Sequence, residues 1–366
     1  MVTMREVANL AGVSVATVSF VVNDSKPVSA ATRERVEAAM DQLGFRRNVL
    51  ARALASQRTR IIAIVFPASQ HRLGATALSI ITSAAVAAGE RGHNIVLWPA
   101  GYDDGKLEEY VRGGLVDGVL LMEVRDGDPR IPVLQKLGVP FGLIGRTERD
   151  ESHPYVDIDF EQAVIDGIAH LTGEGHQHLG LVIGEAGDDA YGGYGPILRT
   201  REAYERRMQE LGLEAVVVES SHNPIGGLAA ADALASEHPD VTGVLVLNEA
   251  ALFGFLSGIV RHGYAVPHDI SILGLATSAD NVAIADPVLS TLVAPGSEVG
   301  QIAVSAIIDA LEDPTGEPSR TLVRCSLQLA GSTAPPQPGR ARSSSARPSR
   351  PARPSTAEEG STHEVH

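Results

Sequence analysis

Residues 3–23, TMREVANLAGVSVATVSFVVN, decide how the N-terminal end of the chain folds. Thr3, with Glu6 three residues later, has the spacing of a capping box, in which side chain and backbone satisfy each other at a helix start. Val7, Leu10 and Ala11 then recur on one helical face. Gly12 stops that helix, Ser14 caps a second, and Val18, Val21 and Val22 give the second its inner face. A third helix is predicted from Ser29, with Val36, Met40 and Leu43 facing inward and Gly44 ending it. Three short helices with a glycine in the first turn make the module that lays its second helix in a DNA major groove.

The segments Ala8-x-x-Ala11-Gly12-Val13-Ser14-x-x-Thr17-Val18-Ser19, Val28-Ser29-x-x-Thr32-Arg33-x-x-Val36 and Gly44-Phe45-x-x-Asn48-x-x-Ala51-x-x-Leu54 resemble the DNA-binding head of the lac/galactose repressor family. The likeness continues through Asp157-Ile158-Asp159, His170-Leu171, Gly175-His176, Asn248-Glu249 and Val266-Pro267-x-Asp269-Ile270-Ser271-Ile272-x-Gly274, so it covers roughly residues 3–333. It implies a helix-turn-helix, all-α head at 1–45, a hinge helix and linker at 46–60, and an effector-binding and dimerisation domain at 61–333. That domain is expected to be periplasmic-binding-protein-like, an α/β body of two doubly wound parallel-sheet subdomains. One takes about 61–160 and 290–318, the other about 161–289 and 319–333, with crossings near 160, 290 and 319.

Composition sets limits on this reading. At 366 residues the chain holds a small and a large domain without needing staples. Its longest apolar runs are strand-length and no charged-then-apolar leader opens it, which points to a cytoplasmic protein with no membrane partner. The single Cys325 excludes an intramolecular disulfide framework and most multi-thiolate metal sites. The net charge of −15 is unevenly spread: 1–60 carry nine Arg/Lys and five Asp/Glu, whereas 61–333 carry sixteen and thirty-seven. A basic head on an acidic body keeps phosphate contact at one end and repels DNA elsewhere.

The predicted recognition helix spans about 15–22. By the resemblance, Val15, Ala16 and Phe20 match residues that reach base edges, and Ser14, Thr17, Ser19 and Asn23 match backbone contacts. Three apolar base-facing residues favour thymine methyl groups and cannot form bidentate pairs with guanine or adenine. Much of the specificity is therefore expected from DNA shape and from the hinge. There, RRNVLARALASQRTR at 46–60 has Val49, Leu50, Ala53 and Leu54 on one face of a helix too short to stand alone in water. The resemblance makes Leu54 a minor-groove wedge, with Asn48 and Ala51 beside it on the DNA. Arg47 stands where the family usually has proline, which exchanges a rigid helix entry for a phosphate contact.

From 61 onward, short β-branched runs alternate with amphipathic helices. Strands are predicted at 61–66, 94–97, 118–122, 141–144, 179–183, 215–218, 243–247, 270–274, 289–293 and 322–327. Ligands of such folds sit beyond the carboxyl ends of the strands, here between the subdomains. The candidate effector-binding residues are therefore His71, Arg72, Leu73, Arg125, Arg146, Arg199, Arg201, Asn248, Ala276 and Ala294. Asn248 keeps the family's pocket asparagine. Ala276 stands where many members carry an aspartate that grips sugar hydroxyls, and Thr200 takes the place of a pocket arginine, with Arg199 and Arg201 on either side. Loss of the acidic clamp weakens the case for an ordinary pyranose, and arginines at strand ends suit a ligand bearing phosphate or carboxylate.

Other motifs carry less. Gly192-Gly193-Tyr194-Gly195 reads as a flexible loop, because no glycine fingerprint places a helix start there. His176-x-His178 lacks acidic or Cys companions and reads as a solvated turn, so no metal and no cofactor are expected. No constellation of catalytic groups stands out. The Pro/Ser/Arg-rich tail at 334–366 is expected to stay disordered and has no leucine heptads for tetramerisation. The sequence thus points to a homodimeric repressor that binds double-stranded operator DNA under control of a sugar or other metabolite. Alternatives are a constitutive regulator with a vestigial cleft, a transport-type binding protein, or an enzyme on the same scaffold.

Overall fold

Caps set the ends of the head helices. The computed structural model describes residues 2–23, 26–45, 58–67, 73–102, 105–147, 153–185 and 192–337. Helix α1 (Met4–Ala11) opens on the predicted capping box, with the Thr3 amide donating to Glu6 Oε2 at 2.7 Å and the Glu6 amide to Thr3 Oγ1 at 3.4 Å. Gly12 ends α1 at φ 64°, a left-handed conformation that side chains rarely adopt. Ser14 caps α2 (Val15–Asn23), its Oγ accepting from the Thr17 amide at 3.0 Å, and Ser29 caps α3 (Ala30–Leu43) likewise. Val7, Ala8, Ala11, Val18, Val21, Val22, Val36 and Ala39 form the head core. Leu10, expected on the inner face, is 46 % exposed; the inward stripe of α1 runs through Ala8 instead.

The body alternates strand and helix in the order that builds parallel sheets. Strands β1 (Ile61–Phe66), β2 (Asn94–Pro99), β3 (Gly118–Leu121) and β4 (Phe141–Ile144) are connected through α4 (Ala75–Glu90), α5 (Lys106–Arg112) and α6 (Arg130–Leu137), and β5 (Tyr155–Ile158) follows. The chain then enters a second subdomain through α7 (Phe160–Gly173). There β6 (Leu179–Gly184), β7 (Val216–Ser220), β8 (Gly243–Val246), β9 (Ser271–Thr277) and β10 (Ser290–Val293) are connected by α8 (Gly195–Leu211), α9 (Pro224–Glu237), α10 (Leu252–Arg261) and α11 (Ala279–Ala283). Helix α12 (Gly296–Glu312) returns to the first subdomain, β11 (Arg320–Val323) pairs with β5, and β12 (Ser326–Gln328) crosses back to β10. The sheet orders are β11-β5-β4-β3-β1-β2 and β12-β10-β9-β8-β6-β7, parallel except for β12.

The crossings lie at Asp159, Ala294–Pro295 and Arg324–Cys325. The last two fall later than the sequence reading placed them. It took 322–327 as one strand, whereas the structure divides that run between both sheets, and it had no strand at 155–158.

Both faces of each sheet are covered, so strands read as apolar runs. In β1, Ile62 and Ile64 pack under α4 and α12 with Ile80, Ala84, Val304 and Ile307, while Ala63 and Val65 face Leu107 and Leu134 on the other side. Helices α4 and α12 approach closely: a Cβ on Gly300 would run into the Ile80 carbonyl oxygen and Ser83 Oγ. Among the described residues, no single helix is long and apolar enough to cross a membrane.

Candidate DNA interface and ligand cleft

At the start of α2, Ser14, Val15 and Ala16 are exposed, and Thr17, Ser19 and Phe20 are half-buried. The first turn of a helix carries unpaired N–H groups and partial positive charge, which suits phosphate. Ser14 Oγ and Thr17 Oγ1 lie 2.8 Å apart at that end, adding two hydroxyls to the same surface. Val15 is 43 % exposed, an apolar side chain that the head core does not use. The Lys26 ammonium stands 5.1 Å from the Phe20 ring centroid, so this half-buried ring carries a cation beside it. The Asn23 side chain lies outside the described residues, as do Asn48, Ala51 and Leu54 of the hinge.

In the body, segments leaving the strand ends of one subdomain meet those of the other. Arg125, beyond β3, forms an antiparallel bridge with Tyr194 ahead of α8. The Asp126 amide donates to the Gly193 carbonyl at 2.9 Å, and the Gly195 amide to the Val124 carbonyl at 3.4 Å. The Gly192–Gly195 stretch, read from sequence as a flexible loop, thus straps the two subdomains together. Leu73, Ala276 and Ala294 pack against the core of the first sheet, although Ala276 belongs to the second. Glu249 Oε2 would lie 3.0 Å from a Cβ on Gly74. His71 and Arg72 lie outside the described residues.

The segment carrying Arg125 is held by a buried clamp. Arg130 and Asp128, with side chains 1 % and 0 % exposed, form an ion pair at 2.7 Å. Arg130 Nη2 also donates to the carbonyls of Met122 and Glu123, and Tyr102 Oη donates to the Glu123 carbonyl at 2.6 Å. Arg125 stacks on the Tyr102 ring at 3.5 Å and Arg130 at 4.6 Å. Burial pushes the Tyr102 phenol up to about 12. These bonds hold Glu123 at φ 53°, an unfavourable left-handed conformation for a residue with a side chain. Ala276, at φ 48°, is its counterpart in the second sheet, where the pairing of β9 with β10 shifts by one residue.

The other arginines also have internal partners. Arg199 Nη2 reaches Asp157 Oδ2 at 2.6 Å and Nη1 donates to the Arg146 carbonyl at 3.2 Å. Arg146 Nε stands 3.7 Å from the same carboxylate oxygen. Burial nevertheless outweighs both arginines and pushes the Asp157 carboxyl up to about 6. Arg201 pairs with Glu219. Asn248 is buried; its Nδ2 donates to Ser220 Oγ at 2.8 Å and to the carbonyls of Ser220 and Ser221, and its Oδ1 accepts from the Ala251 amide.

Several groups at the cleft were not singled out from sequence. Tyr102, Glu123, Tyr194 and His222 all lie just past strand ends or ahead of α8. The strand-end rule applies to Glu123 and His222 as it does to Arg125. Burial and a hydrogen bond to Glu123 hold the Tyr194 phenol well above its ordinary range. His222 stands over Gly184, where a Cβ would strike its ring. His176, read as part of a solvated turn, is buried instead. Its ring nitrogens lie 2.9 Å from Thr242 Oγ1, 3.1 Å from Ser271 Oγ and 3.0 Å from the Ala334 carbonyl, so it pins the end of the body to the second sheet.

Comparison with known proteins agrees with this geometry. Residues 3–48 match the family profile described as bacterial regulatory proteins, lacI family, and residues 168–333 match the periplasmic binding protein-like domain. The HTH-type transcriptional regulator CelR of Thermobifida fusca is 31 % identical over 335 residues, covering 89 % of this chain and 97 % of that one. The catabolite control protein A of Priestia megaterium is 28 % identical over 326 residues, 87 % and 95 % of the two chains. Among solved structures, a complex of the transcriptional regulator CelR with cellobiose superposes with a TM-score of 0.67 at 27 % identity, covering 91 % of this chain and all of the other (100 %). The lac repressor dimer bound to operator and the anti-inducer ONPF shares the fold, with a TM-score of 0.77 at 24 % identity over 91 % and 99 % of the chains.

Proposed function

The chain belongs to the lacI family of bacterial regulatory proteins and is a DNA-binding transcriptional regulator, and we propose that it acts as a homodimeric repressor on a near-palindromic operator, controlled by a small molecule in the cleft between its subdomains. The observation that carries this reading is the start of α2, where exposed Ser14, Val15 and Ala16 project from a core that does not need them. Thr17, Ser19, Phe20 and Asn23 continue the same contact along the helix. Dimer symmetry gives each head one half-site. Asn48, Ala51 and Leu54 belong to a hinge that forms a helix only when DNA and the partner's copy hold it, with Leu54 entering the minor groove.

For the cleft we assign a polar, hydroxyl-bearing metabolite. Glu123, Tyr194, His222 and Arg125 offer donors and acceptors, and the CelR relative is known in complex with cellobiose. Leu73, Ala276 and Ala294 form apolar wall, and His71 and Arg72, which precede Leu73 in the sequence, are assigned to the same ligand. An anionic ligand, which the arginines alone would suit, has to take Arg199 from Asp157 and Arg201 from Glu219. One observation favours a second reading, a regulator that acts without a ligand: the Asn248 amide group donates to Ser220 and Ser221 and so is directed into the protein.

Operator selection with the purified full-length protein, at a stated salt concentration and with a panel of sugars, sugar phosphates and other metabolites, tests both. A palindromic site released or tightened by one compound supports the first reading. A site indifferent to the whole panel supports the second. No enriched site refutes the assignment of the head.

A further inference from the structure

One ion pair joins the subdomains through their interior. Arg199 lies on α8 of the second subdomain and Asp157 on β5 of the first, with 10 % and 5 % of their side chains exposed. The second oxygen of Asp157 accepts from the Ile158 amide at 2.9 Å, which fixes the carboxylate that Arg199 meets. Thr200 is completely buried, so α8 turns its two flanking arginines to different partners: Arg199 to β5 and Arg201 to Glu219 on β7. The same helix is also strapped at its start, by the bonds between Gly193–Gly195 and Val124–Asp126.

We propose that Asp157 and Arg199 are a positioning pair, fixing α8 and the second subdomain against the first and thereby setting operator affinity. This rests on the reading of the chain as an operator-binding regulator whose subdomains move. Separating the pair leaves Arg199 without its counter-charge and Asp157 with only the longer 3.7 Å contact to Arg146, so the pair resists any rotation that parts β5 from α8. It borders a cavity of about 230 Å³ lined from both subdomains by Arg146, Thr147, Glu161, Arg199, Glu202 and Arg206, through which water enters once the pair parts. A cleft ligand then acts by strengthening or releasing a contact the protein already makes, and needs only a different affinity for the two arrangements.

The test uses the full-length protein, its selected operator, and the variants Arg199→Gln, Asp157→Asn and the double variant Asp157→Asn/Arg199→Gln. Amide hydrogen exchange is followed at Asp126, whose bond to the Gly193 carbonyl crosses the interface, and not at Gly195, against which the Arg199 guanidinium packs. Each single variant is expected to speed exchange there about tenfold and to shift operator affinity about tenfold. The double variant leaves neither member of the pair facing an uncompensated partner, and the remaining cation, Arg146, is 30 % exposed to water, so its melting temperature recovers relative to the single variants while exchange at Asp126 stays fast. A purely structural role predicts that exchange recovers together with stability. Folded variants with wild-type exchange at Asp126, or with wild-type operator affinity, overturn the proposal. If the single variants do not fold, Arg199→Lys, which keeps the charge and loses the planar fork, decides by the same two readouts. If no operator is found for the wild type, the exchange arm still tests the pair, and only the operator-binding reading has failed.

Discussion

Arg130 and Arg201 carry the same charge and differ in everything around it. Arg130 is enclosed with Asp128 and two backbone carbonyls, whereas the Arg201 and Glu219 side chains are 26 % and 45 % exposed. Arg130→Met leaves Asp128 buried without its counter-charge and takes a donor from the Met122 and Glu123 carbonyls, at an expected loss of about 3–5 kcal/mol. Arg201→Ala breaks a pair that water and salt already screen, and costs less than about 1 kcal/mol. Urea unfolding midpoints of the two variants should separate clearly; similar losses would mean that burial of the first pair has no energetic consequence. Asp157 makes the pH-dependent prediction. Its folded pKa of about 6 lies above the ordinary 3.8, so the folded state binds the proton more tightly than the unfolded chain. The contribution of this group therefore stabilises the protein as pH falls from about 6 towards about 4, and disappears as pH rises through about 6. The stability difference between wild type and Asp157→Asn should shift in favour of the variant across that rise. A flat difference would place Asp157 in a solvated setting.

At the scale of elements, the contact of α4 with α12 sets two glycine predictions of opposite sign. Alanine is worth up to about 1 kcal/mol over glycine inside a helix. Gly89, on α4, has open space where a Cβ would go, so Gly89→Ala should stabilise. Gly300, on α12, faces backbone, so Gly300→Ala should force the helices apart and cost about 1–3 kcal/mol despite the same propensity gain. Thermal melts that moved both variants in one direction would show that the close approach is not what selects glycine at 300. Elements of this kind were legible in the sequence where the signal is local. Thr3, Ser14 and Ser29 marked helix starts, Gly12 and Gly44 marked ends, and the apolar runs of β1, β3, β4 and β6 marked buried strands. The misses have a non-local cause. Residues 322–327 read as one strand, yet Arg324–Cys325 cross between sheets, which only the assembled subdomains define. His176 looks solvated beside His178 until Thr242, Ser271 and Ala334 are brought around it. Arg125 and Arg199 were found by the strand-end and resemblance arguments, but their partners Tyr102 and Asp157 lie far from them in sequence or across the subdomain boundary.

For the whole molecule, the uneven charge and the apolar wedge make separable contributions to DNA binding. Residues 1–60 carry nine basic and five acidic side chains, and 61–333 sixteen and thirty-seven, so the charge that suits phosphate lies in the head and hinge and not in the body. Each phosphate neutralised contributes about −0.9 to the slope of log K against log salt, whatever the DNA sequence. Leu54 has no charge. If it acts as a minor-groove wedge, Leu54→Ala should leave that slope unchanged and leave binding to random DNA nearly unchanged, while operator affinity falls about tenfold or more, because the bend and the contacts it allows are lost together. Arg47→Ala should do the reverse, lowering the slope by about one phosphate and weakening operator and random DNA alike. Salt titrations of both variants on both DNAs give four slopes and four affinities. Equal losses for Leu54→Ala on operator and random DNA would remove the wedge and leave the exposed start of α2 as the source of specificity. A changed slope for Leu54→Ala would instead mean that the side chain orders the hinge arginines on phosphate, and that shape recognition and electrostatics are coupled through the hinge.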